Sequence, residues 1–542
     1  MSLLAALTGP LPKVGVVLIA VLAAVALLAH GTRLRAAAIV SCLVLSPVLL
    51  LAEIWHSPHV SAIRHHPLEA AAVAVAALIF VAALAWLIAP RPWLLGVLAV
   101  LTLPFRVPVS AGGSTADLLV PLYFVVAAGA LAFALPAILG RPSPLRAGPA
   151  PGGSLVTWLR RLLALVIVFY AAQSLYSPTV GSPSGFEKAL QNMVFFYVPF
   201  AVLFCLLERV EWTPRLLRSC LVLLVAMGLV FSGIAFYEYA TRTVLFNSKL
   251  VASNQLYTYF VVNSVFFDPN IFGRFVALVM VLLAVLLLYD RPQREQVAIA
   301  GVLVVLWVAL VLSLSRSSMA GLLVALALVG AVRWRLWRTL AMAAAVLVIG
   351  GAAVAISPTT FGFNQSFNGV SAGRGSVLSG GARLFAHRPL LGYGSGSFEI
   401  EYHRHNPASG PLTASHTTPV TLAAEQGLVG VVPYVALVVV ALIVLVRDTR
   451  EDPARAAIAA AFAALLVHTM LYADFLEDPT TWALLAVGGA LARAPRPREA
   501  AAAIRTAPVP AIGGLAAPAR LEPVSAPPTG RGFLRRQGKP QQ

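Results

Sequence analysis

An all-α, polytopic integral membrane protein with about 13–15 transmembrane helices and a large extracytoplasmic loop is the fold class these 542 residues predict. Three observations carry that reading. Hydrophobic residues make up 59% of the chain and charged residues only 11%, against roughly 25% charged in a soluble domain. Apolar runs of about 20 residues recur, long enough at 1.5 Å per residue to cross a ~30 Å hydrocarbon core. Basic residues gather in every second connection between those runs. The mean hydropathy of +0.86 agrees. A soluble enzyme, a β-barrel built from short alternating strands and a disordered chain are excluded.

Taken in order, the apolar runs fall at 14–30, 36–52, 68–89, 92–105, 117–139, 155–175, 189–207, 215–237, 271–289, 297–314, 318–333, 337–356, 431–446, 455–472 and 480–493. The first has only Lys13 before it and no small-residue cleavage pattern after it, so a retained helix is expected rather than a cleaved signal. Cys42, Cys205 and Cys220 all lie inside apolar runs and read as small core residues, not as a disulfide or metal framework. The segment RPSPLRAGPAPGG (141–153) reads as a loop. The Ala/Pro-rich stretch 494–542 reads as a disordered cytoplasmic tail. The expected divisions are therefore 1–154, a set of N-terminal helices ending in that loop, then a membrane core over 155–493, then the tail.

Charge sets the orientation. One alternating set of connections, from Arg33 and Arg35 to the tail beyond Arg493, holds 27 of the 39 Lys and Arg residues, and the other side holds 12. The first set is therefore cytoplasmic. This bias accounts for the net charge of +18 without nucleic acid, and none is expected as a partner.

The extracytoplasmic connections 176–188, 238–270 and 357–430 hold the polar chemistry. The last is far longer than a connection requires. It contains an apolar run with turn-forming glycines, RLFAHRPLLGYGSGSF, and SHTTPVTLAAEQGLVG, which reads as a helix starting after Ser415 and ending at Gly427. Between Pro358 and His416 lie Arg374, Arg383, Arg388 and Arg404, with His387, His403, His405 and His416, but only the acids Glu399 and Glu401. Arg316 sits in LSLSRSSMAG, a tight turn between two apolar runs, where a merely solvated cation is hard to place. Arg274, in FFDPNIFGRFVAL, and Lys188, in GFEKALQNMVFF, each stand at the start of a run.

Plainer readings exist for each. Arg242 and Lys249 can snorkel to the interface or pair with Glu238, and Arg374 and Arg404 lie in hydrophilic stretches. His403 and His405 can be plain surface residues. Arg316 can pair with Asp268. No helical His pair or nearby cysteine supports zinc, so neither a metal nor a cofactor is expected. What several outer arginines and a histidine suit is a pyrophosphate at headgroup depth. Arginine grips phosphate oxygens through a bidentate fork and stays charged at any relevant pH. It also stabilises the charge that grows on a leaving phosphate. No GxxxxGK[ST] loop occurs.

These motifs resemble the bacterial O-antigen ligase and polymerase superfamily of membrane glycan-joining enzymes, over about the C-terminal two thirds of the chain. DPNIFG, with Asp268 and Asn270 and followed closely by Arg274, resembles the family's Asn-containing outer turn. LSLSRSSMAGLLVAL resembles its Ser-Arg motif. AHRPLLGYGSGSF resembles its His-Pro-hydrophobic-Gly-x-Gly segment, with Arg383, His387 and Arg388 in or beside it. SHTTPVTLAAEQGLVGVVPY, with Glu425, resembles the segment that closes the loop. The chain departs from the pattern at Thr417, where relatives often carry Asn.

The resemblance implies transfer of a glycan from an undecaprenyl-pyrophosphate-type lipid donor to a sugar hydroxyl, on a glycan or glycolipid acceptor, without metal or nucleotide. Carried over, it implies that Arg316 engages the pyrophosphate and His416 acts near the attacking hydroxyl. Lys188, Asp268, Asn270, Arg274, Arg383, His387, Arg388 and Glu425 are the substrate-binding candidates. The same superfamily includes repeat-unit polymerases, which the sequence does not separate from ligases. A lipid-linked oligosaccharide flippase would place charge near the midplane and often shows inverted repeats, unlike this chain. A peptidoglycan-polymerase reading would rest on an outer carboxylate: Asp268, Glu399 or Glu401.

Overall fold

The computed structural model describes residues 11–55, 60–111, 114–143, 154–179, 183–245, 250–251, 254–255, 260–289, 292–333, 374–407 and 415–493. The expected run 337–356, the loop segments 144–153, 357–373 and 408–414, and the tail 494–542 lie outside them. The N-terminal helices are α1 (Leu11–Leu28), α2 (Thr32–Glu53), α3 (Ser61–His65), α4 (Pro67–Ile88), α5 (Trp93–Thr102) and α6 (Val120–Ile138). There follow α7 (Ser154–Ser174), α8 (Gly185–Asn192), α9 (Val198–Leu207), α10 (Pro214–Thr241), α11 (Pro269–Leu287), α12 (Gln293–Leu312) and α13 (Arg316–Arg333). The last five are α14 (Arg374–His387), α15 (Phe398–His405), α16 (Thr418–Val446), α17 (Pro453–Leu471) and α18 (Pro479–Arg493). Among the described residues, ten helices are long and apolar enough to cross a membrane, counting Gly185–Leu207 as one, and three shorter apolar helices accompany them. The protein is an all-α, multi-pass membrane protein.

Several helix ends have a local reason. Asp268 caps α11 by accepting from the Asn270 N–H at 2.6 Å, and Asp452 caps α17 through the N–H groups of Ala454 and Arg455. Pro269 and Pro453 occupy the first turns, where a missing N–H costs nothing. Ser184 and Glu187 close a reciprocal capping box on α8. Between α8 and α9 the chain makes a π-helical turn, Met193–Tyr197. Pro199 has no N–H for the Phe195 carbonyl, and the Tyr123 hydroxyl supplies the missing donor at 2.8 Å.

The short helices α3, α14 and α15 lie outside the expected apolar runs, and so does a pair of strands. Residues 107–118 were expected to be a break running into a span, but Val107–Ala111 (β1) and Ser114–Leu118 (β2) pair antiparallel, with Val107 opposite Leu118. Two short β-compatible flanks around Gly112 and Gly113 explain it.

The buried core is continuous through the helices, with Phe133, Phe200, Phe204, Phe462 and Trp482 among its largest fully buried side chains. Helices α11, α13 and α17 pack against one another, and α7 packs against both α1 and α16. The extramembrane segment has a small core of its own, formed by Val377, Leu384, Tyr393, Phe398, Tyr402 and Ala424.

α16 is broken at Gly427, whose φ of 59° and ψ of −158° are open only to glycine. A side chain there would meet the Leu390 carbonyl oxygen at 2.4 Å. The groups released by the break are all used. The N–H of Leu428 bonds Pro389 O and that of Val429 bonds Leu390 O, while Tyr393 N–H and Gly394 N–H bond Ala424 O and Glu425 O. Gln173 donates to the Gln426 carbonyl at 3.0 Å. The broken helix is thus laced to the segment 389–394, which Tyr176 and Ser177 hold in turn through the carbonyls of Leu391 and Ser395.

Candidate functional site

Five helix ends meet at one end of the membrane bundle: the starts of α11, α13, α16 and α18 and the finish of α17. The turn LSLSRSS opens α13. Leu314 takes a positive φ of 50°, and the chain then buries Ser315, Ser317 and Ser318 while leaving Arg316 exposed. Ser315 Oγ lies 2.7 Å from Ser318 Oγ and donates to Asn270 Oδ1 at 3.1 Å. The serines fasten this turn to α11, and the guanidinium is the group sent outward.

Asn270, Asp268 and Arg274 lie along one turn and a half of α11 and have distinct partners. Asp268 Oδ2 accepts from the Tyr472 hydroxyl at 2.9 Å. Arg274 is buried and pairs with Asp478, at the foot of α18, at 2.5 Å, with side chains only 6% and 2% exposed. Arg274 therefore has its charge compensated within the protein.

His416 stands at the start of α16 in a left-handed conformation, φ 58°, and is half-buried. Ser415 fixes the approach: its hydroxyl lies 2.8 Å from Thr421 Oγ1 and within hydrogen-bond reach of the Thr417 carbonyl and N–H. Thr417 begins the helix without a side-chain cap. Thr418 Oγ1 donates to the Thr469 carbonyl, and Arg374 Nη1 donates to the Leu471 carbonyl, so α16 and α14 both rest on the end of α17. The His416 ring lies 6.3 Å from the Tyr472 ring. Burial, and next the Arg374 charge, push its pKa below the ordinary imidazole value, against the opposing pull of Asp474 and Asp268. A neutral imidazole at neutral pH follows.

Beside this centre lies a second polar group. Lys188 on α8 pairs with Glu399 at 3.0 Å. Glu425 is buried, and its carboxylate accepts from the N–H groups of Gly396 and Phe398, at 2.9 and 3.0 Å. Gly396 itself takes a φ of 79° against the start of α8. Glu425 therefore holds the GSGSF turn in place. Arg383, His387 and Arg388 lie on the exposed side of the extramembrane segment. Their described contacts stay within that segment: Arg383 to Asn406, His387 beside His405, and Arg388 over the Tyr393 ring at 4.5 Å. Among the described residues, no group of acids, histidines and cysteines is arranged to hold a metal.

The expected pairing of Arg242 with Glu238 is replaced. Glu238 is buried and accepts from the backbone N–H groups of Leu245, Asn263 and Ser264, while Arg242 stacks over Tyr239 and Phe260. Lys249 lies outside the described residues. The connection 472–478, which carries none of the motifs above, also belongs to the site. Tyr472, Asp474, Glu477 and Asp478 all enter the polar centre from it. Glu477 accepts from Asn192, which also donates to Tyr170. Packing around Glu477, then the neighbouring Asp474 and Glu425 charges, raise its pKa to about 8. Asp474 is raised too, chiefly by burial, although Arg274 and Arg106 oppose it. A signal existed: DFLED places three acids within five residues, in a chain with 21.

The arrangement defines a class: a polytopic helical membrane protein with a polar centre at one membrane end, offering an exposed guanidinium and a half-buried neutral imidazole. Residues 301–435, from α12 through Arg316 and His416 into α16, match the family described as O-antigen ligase. No curated protein matches the chain.

Proposed function

We propose that the protein transfers a glycan from an undecaprenyl-pyrophosphate-type lipid to a sugar hydroxyl, at the extracytoplasmic face of the plasma membrane. The observation that carries this reading is the inside-out turn at Arg316: three serines are buried so that one arginine projects at a membrane end, within the family-matched segment. There a guanidinium meets pyrophosphate at headgroup depth, with the isoprenoid tail between helices. Its two parallel N–H donors hold the oxygens whose charge grows as the glycosyl–phosphate bond breaks. The neutral His416 ring accepts the acceptor hydroxyl's proton as the new glycosidic bond forms, a role worth about 10²–10⁴-fold in such reactions. Imidazole does this without adding negative charge beside the donor, unlike Glu399 or Glu401. Tyr472 and Asp268 hold the histidine's surroundings, and Lys188 with Glu399 borders them.

Cells lacking the protein test the reading. Accumulation of a lipid-linked glycan supports it, with full-length chains marking a ligase and single repeats marking a polymerase. Normal turnover of every lipid-linked glycan contradicts it.

A further inference from the structure

At the membrane end opposite the candidate site, the final turns of α9 and α18 and the starts of α2 and α7 enclose a second set of charges. Arg160 directs Nε and Nη2 at Glu208 Oε1, at 3.0 and 2.8 Å. Arg493 pairs with the same carboxylate oxygen, and its Nη2 donates to the Glu208 backbone carbonyl at 2.9 Å. Arg35 joins them from α2. It donates to the Ala29 carbonyl, and the charged groups facing it are Arg160, Glu208 and Arg493. Two guanidinium groups therefore bond one carboxylate and a third lies near enough to feel its charge, a surplus of two positive charges.

These are not solvated loop residues. The side chains of Arg493, Glu208 and Arg160 are 5%, 9% and 20% exposed. Arg35 Nε is buried and has no hydrogen-bond partner among the described residues. Buried charge is stable only when compensated, and a buried N–H without an acceptor is costly. One carboxylate cannot serve three guanidiniums. An orientation bias in basic residues explains arginines in water beyond the helix ends, but not arginines packed between helices around a single acid.

We infer that this charge cluster binds the phosphodiester of an anionic glycerophospholipid from the adjoining leaflet. A phosphodiester brings the negative charge and the acceptor oxygens that the cluster lacks. A lipid delivers them at headgroup depth, with its acyl chains along the apolar faces of α2 and α7. Basic pockets between helix ends on the cytoplasmic side suit this chemistry.

The test uses the purified full-length protein in neutral detergent and native mass spectrometry, with phosphatidylglycerol, phosphatidylcholine and inorganic phosphate as probes. The expected result is retention of phosphatidylglycerol over phosphatidylcholine. Retention should fall about fivefold or more in Arg35→Gln, on the basis of roughly 1 kcal/mol per basic group near a membrane surface, and be kept largely in Arg35→Lys. Equal retention of the two lipids overturns the inference, as does unchanged phosphatidylglycerol retention in Arg35→Gln. Occupancy by inorganic phosphate that matches and displaces the lipid assigns a free anion instead and overturns it too. If Arg35→Gln fails to fold, the comparison of the two lipids on the unaltered protein decides alone.

Discussion

Replacing Asp478 by Asn separates two roles for Arg274, structural partner and substrate ligand. The two side chains meet at 2.5 Å and are 6% and 2% exposed, so solvent screens them little. Neutralising Asp478 leaves a guanidinium buried without a counter-charge, a change that costs about 3–5 kcal/mol for a buried pair. Replacing both partners with apolar residues of similar size, Arg274→Met with Asp478→Leu, removes the charge and its compensation together and should be near neutral or stabilising. The assay is thermal unfolding of purified protein in detergent across the full double-mutant cycle, read beside glycan transfer. Asp478→Asn should unfold well below the parent, and the double variant should recover most of the loss. A double variant that is stable and also transfers glycan normally assigns Arg274 to structure alone. One that is stable but inactive shows that the arginine serves the substrate as well. The reasoning is refuted if Asp478→Asn unfolds within about 1 kcal/mol of the parent, because the ion pair would then not be a desolvated one.

Four further outcomes follow from the same geometry. Arg316→Lys keeps the charge but not the fork, so turnover should fall tenfold or more at unchanged membrane abundance; a fully active Lys variant reduces Arg316 to a generic cation. Gly427→Ala places a Cβ 2.4 Å from the Leu390 carbonyl at a φ of 59°, and should cost at least about 1–3 kcal/mol, read as a lowered unfolding temperature. Because burial depresses the His416 pKa, the imidazole is neutral above it and charged below it, so transfer should be lost on acidification only below the ordinary pKa of about 6.5; an acid limb above that value contradicts the placement. All three native cysteines are buried, so single cysteines at exposed Ser379 and Arg450 report topology: an impermeant thiol reagent outside the cell should label the first and not the second.

The sequence was most informative where a physical constraint acts on one residue at a time. Membrane thickness makes a span visible as an apolar run, and the ten helices long and apolar enough to cross a membrane overlap those runs. Arg316 was visible because a cation in a tight apolar turn has few explanations. The helix starting after Ser415 was visible from its sequence, while its expected end at Gly427 is a break within α16, which runs on to Val446. What escaped depends on pairing across the chain. Asp478 reads as an ordinary acid before a proline until α18 sets it against Arg274, 204 residues earlier in sequence. Tyr472 is one aromatic among many until its hydroxyl reaches Asp268. Glu425 looks like a charge facing a site, yet two backbone N–H groups occupy its carboxylate. The β1–β2 pair joins two short segments that carry no apolar run of their own.

The central claim is that His416 removes the acceptor proton while Arg316 holds the pyrophosphate. Its most direct test is transfer by purified protein in vesicles supplied with lipid-linked glycan, comparing the parent with His416→Ala and His416→Gln. Both variants should bind the lipid donor nearly as the parent does, and both should transfer it about 10²-fold or more slowly. Full transfer by His416→Gln, which keeps a hydrogen-bonding side chain but cannot act as a base, would contradict the claim.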